Sequence, residues 1–150
     1  MKKTILFLAL PLLSACGDDG GPKDYLKIAG GGITFNYRYS QAGMIVIAQQ
    51  RYPLPAGSTV EAQFELPGKG TFETVSSPSK EGKLTYRLES APMTGFKKGG
   101  EYKVTILLRD NAGKELDRDE TKFFSDQDQS TLPSKPIVRG LEFTPDLKNL

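Results

Sequence analysis

From residue 33 onward, apolar side chains recur at every second position. Ile33, Phe35, Tyr37 and Tyr39 alternate with Thr34, Asn36, Arg38 and Ser40, the pattern of a strand with one face in a core. Gln41-Ala42-Gly43 predicts a turn into Met44-Ile45-Val46-Ile47-Ala48, a continuous apolar run that suits a strand covered on both faces. Pro53 and Pro55 then stop pairing. Val60, Ala62, Phe64 and Leu66 alternate with polar residues up to Pro67-Gly68, residues 71–75 predict a weaker strand, and Leu84, Tyr86 and Leu88 predict another. The strongest alternation is Tyr102, Val104, Ile106 and Leu108. Asp110-Asn111-Ala112-Gly113 closes it with a glycine available for positive φ in a hairpin, and residues 114–124 return as the partner. Seven strands at spacings of roughly ten residues, with no helical period, predict an all-β fold, an antiparallel β-sandwich over residues 33–124.

The 16 glycines and 10 prolines fit that reading, because they punctuate the chain too often for long helices. Within the sandwich, Phe96-Lys97-Lys98-Gly99-Gly100-Glu101-Tyr102-Lys103-Val104-Thr105-Ile106 resembles a segment of fibronectin type III and related immunoglobulin-like domains. There a hydrophobe, a glycine-bearing turn and a tyrosine precede an alternating strand. The resemblance implies that the Tyr102 hydroxyl bonds back to the chain at a sheet corner. It implies a fold and no function, since such sandwiches host unrelated activities.

The N-terminus has a different pattern. Lys2 and Lys3 precede an apolar stretch over residues 5–13, too short to cross a membrane as a helix, which takes about 20 apolar residues. It reads as the core of a signal peptide covering residues 1–15. Leu13-Ser14-Ala15-Cys16 resembles the lipobox of bacterial lipoproteins, an aliphatic residue and two small ones before the modified cysteine. The resemblance implies that cleavage precedes Cys16 and that its sulfur carries the acyl chains. It makes the membrane a partner through the lipid anchor, and the Gly17 that follows implies sorting to the outer membrane, on the periplasmic side. Residues 16–32, with Gly30-Gly31-Gly32 as a hinge, read as lipidated cysteine and flexible tether.

Cleavage changes the charge. The whole chain has 20 Lys and Arg against 18 Asp and Glu; without Lys2 and Lys3 the two signs balance, so no basic excess remains to hold nucleic acid. There is no His and only one Cys, which excludes Ser-His-Asp and Cys-His catalysis and imidazole or multi-thiolate metal sites. With Cys16 used as an anchor, no catalytic residue, cofactor or metal is expected. Asp110, Asp117, Asp119, Glu120, Asp126 and Asp128 offer oxygen ligands, but Arg109, Lys114, Arg118 and Lys122 interleave with them; this predicts a solvated hairpin with cross-strand ion pairs.

Two candidate binding sites remain. Phe35, Tyr37 and Tyr39 could form an aromatic ligand face or pack in the core. Residues 125–150 read as a polar linker followed by an apolar tail, and Ile137, Val138, Leu141 and Phe143 either dock on the chain's own sandwich or add a strand to a partner. The functional expectation is a non-catalytic envelope lipoprotein that binds another envelope protein, similar in length, anchor and fold class to small lipoproteins that pilot secretins. The alternative is a surface module binding a ligand such as carbohydrate, or an adhesin.

Overall fold

The computed structural model of the protein describes residues 24–138. Its strands, in chain order, are β1 (Leu26–Asn36), β2 (Gln41–Gln50), β3 (Thr59–Glu65), β4 (Phe72–Pro78), β5 (Thr85–Glu89), β6 (Glu101–Arg109) and β7 (Glu115–Phe124). They form two antiparallel sheets in the orders β1-β2-β5 and β4-β3-β6-β7. The fold is the all-β antiparallel sandwich that the alternation predicts.

The alternating residues build the core. Val60, Ala62 and Phe64 of β3 and Tyr102, Val104, Ile106 and Leu108 of β6 are buried with Met44, Val46 and Ala48 of β2 and Tyr86 and Leu88 of β5. The Tyr102 ring stands edge-on to Phe96, with centroids 5.0 Å apart. Its hydroxyl accepts the Lys97 N–H at 2.8 Å, tying the β5–β6 connection to the sheet corner. Leu107 and Thr105 occupy the other face of β6 and are also buried. They are flanked there by the Arg109–Glu61, Arg118–Glu115 and Lys103–Glu120 ion pairs, whose long side chains cover apolar surface while their charges stay wet.

Several boundaries differ from the sequence reading. The glycine run is strand, not hinge: β1 begins at Leu26, so the sandwich starts before residue 33 and residues 26–32 belong to it and not to the expected tether. The register with β2 shifts at Ala29. Gly31 has φ 144°, and a Cβ there would lie 2.6 Å from the Phe123 ring of β7 as well as against the Ile45 carbonyl oxygen; the glycine permits close approach of two sheets. The alternation through Tyr37 and Tyr39 is a turn. Asn36 Oδ1 accepts the Tyr39 N–H, and Ser40 has φ 53°. β2 starts at Gln41, so Gly43 is not a turn residue either. It leaves room for the Ser90 hydroxyl, which accepts the Met44 N–H at 2.9 Å and donates to the Ala91 carbonyl. Leu84 precedes β5 and is exposed, unlike Tyr86 and Leu88.

β1 is held from two directions. On one side it pairs with β2. On the other, the Leu26 N–H donates to Asp117 and the Ile28 N–H to Asp119, both at 2.8 Å, while Lys27 Nζ lies 3.0 Å from the second Asp119 oxygen. The two carboxylates on one face of β7 therefore satisfy edge donors that would otherwise offer a pairing template. Burial raises the Asp119 pKa, but the Ile28 N–H and Lys27 outweigh it and hold the carboxyl below its ordinary value. Because the folded-state pKa is depressed, this stabilisation is complete above the unfolded value of 3.8 and is lost as pH falls through the folded one. The urea midpoint is expected to fall as pH drops below about 3.8, and more steeply than in Asp119→Asn. Parallel pH profiles would show that the carboxylate does not secure this edge.

Candidate functional site

The antiparallel order gives the sandwich two poles. One carries Leu26, the β2–β3 and β4–β5 loops and the β6–β7 hairpin; the other carries the β1–β2 turn, the β5–β6 connection and the chain after β7. Both sequence-predicted sites with described residues lie at the second pole.

Residues 125–138 are not a loose linker, because their polar groups bond the backbone of the sandwich. Ser125 is buried, its N–H donates to Gly100 and its carbonyl accepts from Gly99. Gln129 is a fastener: its Oε1 accepts the N–H groups of Gly95 and Phe96, its Nε2 donates to the Met93 carbonyl, and its own N–H donates to Phe96. It begins a short 3-10 turn, Gln129–Thr131, whose N-cap is Asp128. Hydrogen bonds from Ser130 hold the Asp128 carboxyl below its ordinary pKa, with Lys97 assisting. Leu132 then packs against the core. Polar composition here encodes docking, with amides and hydroxyls taking the place of strand partners.

The docked segment ends on the β1–β2 turn. Tyr37 Oη donates to Gln127 Oε1 at 2.6 Å, Ser40 Oγ donates to the Pro133 carbonyl, and the N–H groups of Ile137 and Val138 share the Arg38 carbonyl at 2.8 and 3.1 Å. The backbone at Ile137 is thus fixed, while its side chain is 69% exposed. Val138 is half-buried. Leu141 and Phe143 lie outside the described residues.

Beside this turn the outer face of the three-stranded sheet opens into a cleft of about 560 Å³, bordered by Phe35, Tyr37, Arg38, Ile45, Glu89 and Pro92. Phe35 and Tyr37 meet there, but not as one platform. Phe35 is half-buried and stands edge-on to Phe96 at 6.0 Å, whereas Tyr37 is 42% exposed and bonded to the docked segment. Tyr39 is half-buried in the turn and does not border the cleft. Arg38 and Glu89, 51 positions apart in sequence, join it only through the β1–β2–β5 pairing, and their local sequence carries no signal for this.

The cleft offers hydrogen-bonding groups, one arginine and one carboxylate beside an aromatic ring, an arrangement that can bind. Among the described residues no group of three or more acidic or cysteine side chains is placed to hold a metal ion. Cross-strand ion pairs expected for the β6–β7 hairpin are present, Lys122 meeting Glu101 at 2.7 Å and Lys103 meeting Glu120 at 2.9 Å, whereas Arg118 pairs along its own strand with Glu115 and Glu120. Asp117 and Asp119 are taken by β1. Cys16 lies outside the described residues. The chain matches no protein-family model and no curated protein.

Proposed function

We propose that the chain is a lipid-anchored lipoprotein of the bacterial envelope, attached to the outer membrane through Cys16 and facing the periplasm. It acts without catalysis, by binding another envelope protein with the pole opposite its anchor. The observation that carries the reading is Ile137, an exposed apolar side chain on a backbone fixed by two hydrogen bonds to Arg38. Ordering entropy at that position is spent before any partner arrives. The 11-residue β1 runs from the end nearest Cys16 to this pole, a span of about 35 Å, so a tethered sandwich can hold the surface well away from the headgroups.

A photo-crosslinking side chain at position 137 of the full chain, expressed in intact cells, is expected to capture an envelope protein; the same group at Arg87 is not. Removing residues 135–150 should abolish the interaction while the unfolding temperature stays close to that of the intact chain. Cys16→Ser should move the protein out of the membrane fraction. An anchored, folded protein that gives no adduct at 137 would defeat the binding assignment. The cleft beside Tyr37 supports a second reading as a carbohydrate-binding module, since an exposed ring flanked by Asn36, Gln41 and Glu89 offers stacking with hydrogen bonding. Saturable protection of Tyr37 by glycans would favour it.

A further inference from the structure

The pole from which β1 starts has its own exposed apolar groups. Tyr52 is 51% exposed and Leu84 62% exposed, and both belong to loops joined at this end of the three-stranded sheet. The Gln50 N–H donates to the Leu84 carbonyl and the Arg51 N–H to the Tyr25 carbonyl, each at 2.8 Å. These bonds place Tyr52 and Leu84 at the end of the sheet where the chain from Cys16 enters. Between the same loops lies an open hollow of about 400 Å³ bordered in part by Pro53, Leu54 and Ala56.

We infer that this pole is a membrane-contact surface, on which Tyr52 and Leu84 enter the headgroup region of the phospholipid leaflet that holds the acylated Cys16. The inference rests on the lipid-anchor reading above. Leu26 follows Cys16 by ten residues, and ten residues in any conformation reach at most about 35 Å. The pole is therefore confined close to the leaflet. Confinement by a short tether corresponds to a local concentration on the order of millimolar, so a contact too weak to recruit a free protein is well populated by an anchored one. Tyrosine suits the site because its ring is apolar and its hydroxyl polar, the character favoured at membrane interfaces.

Charge has a small part in this contact. Arg51, Lys80, Lys83 and Lys114 share the pole with Asp24, Glu81 and Asp110, so the signs nearly cancel. One of the cations, Lys83, lies 4.5 Å from the centroid of the Tyr86 ring. The expected contact is apolar and insensitive to salt, unlike the binding of a polybasic patch.

The chain has no Trp, so one introduced indole reports its own surroundings. Full-length acylated Tyr52→Trp, Leu84→Trp and, at the far pole, Tyr37→Trp would be reconstituted into phosphatidylethanolamine–phosphatidylglycerol vesicles with plain or brominated acyl chains. Emission from positions 52 and 84 is expected to fall at least twofold in brominated vesicles, at low and high salt alike, and emission from position 37 to stay unchanged. Equal emission at all three positions, in protein that floats with the vesicles, would overturn the inference and leave the anchor intact. Quenching abolished by salt would overturn the apolar contact. Acylated protein that fails to float would overturn the anchor and this inference together. Unchanged circular dichroism in each variant establishes that these exposed positions tolerate the indole.

Discussion

Gly31→Ala is expected to destabilise the sandwich by about 2–5 kcal/mol, while Gly30→Ala and Gly32→Ala leave it unchanged or stabilise it by about 0.4–1 kcal/mol. The three positions are consecutive in β1 but differ in what a methyl group would meet. At 30 and 32 nothing lies within 4 Å of an added Cβ; at 31 it would collide with the Ile45 carbonyl and the Phe123 ring, on a backbone at φ 144°. Shortening Phe123 should recover little, since the carbonyl and the backbone conformation remain. Urea unfolding of the three variants would decide it. Three equal midpoints would mean that β1 and β7 do not approach as closely at Gly31 as described.

Ile106→Ala is expected to cost about 2–5 kcal/mol, against at most about 0.5 kcal/mol for Arg87→Ala. Ile106 is fully buried at the centre of β6, paired with Ala62 on one side and Asp119 on the other, so truncation opens a cavity that the small neighbouring Ala62 cannot fill. Arg87 projects from β5 into solvent with its ion-pair partner Glu89, both about half exposed. Equal losses in thermal or urea unfolding would mean that the inward and outward faces have been exchanged.

The period of two identifies β3, β5 and β6 because one face of each packs in the core and the other carries mainly polar side chains. It fails where side chains are missing or where polar groups serve the backbone. Gly30-Gly31-Gly32 shows no alternation and reads as a hinge, although β2 pairs with it throughout. Tyr37 and Tyr39 keep the alternation while the chain turns, because the Asn36 side chain and the positive φ of Ser40 make the turn without a glycine. Leu107 breaks the rule differently, buried on the outer face between Glu61 and Arg118. For the site, the hydrophobicity of Ile137 marks it in the sequence. The bonds that position it do not, since Gln127, Gln129 and Arg38 read as ordinary polar surface until the fold brings them to the β1–β2 turn.

The carboxylates that close the β1 edge set an order for folding. Asp117 and Asp119 stand 91 residues after the donors they serve, and a chain is made from its N-terminus. β1 can pair with β2 once residue 50 has emerged, but the outer N–H groups of Leu26 and Ile28 stay bare until β7 has followed. Throughout that interval the nascent chain presents an open edge to neighbouring chains and to proteases. A product ending before Asp117 could hold six of its seven strands and still be sticky and short-lived, so completion of the last strand distinguishes a finished molecule from an abortive one.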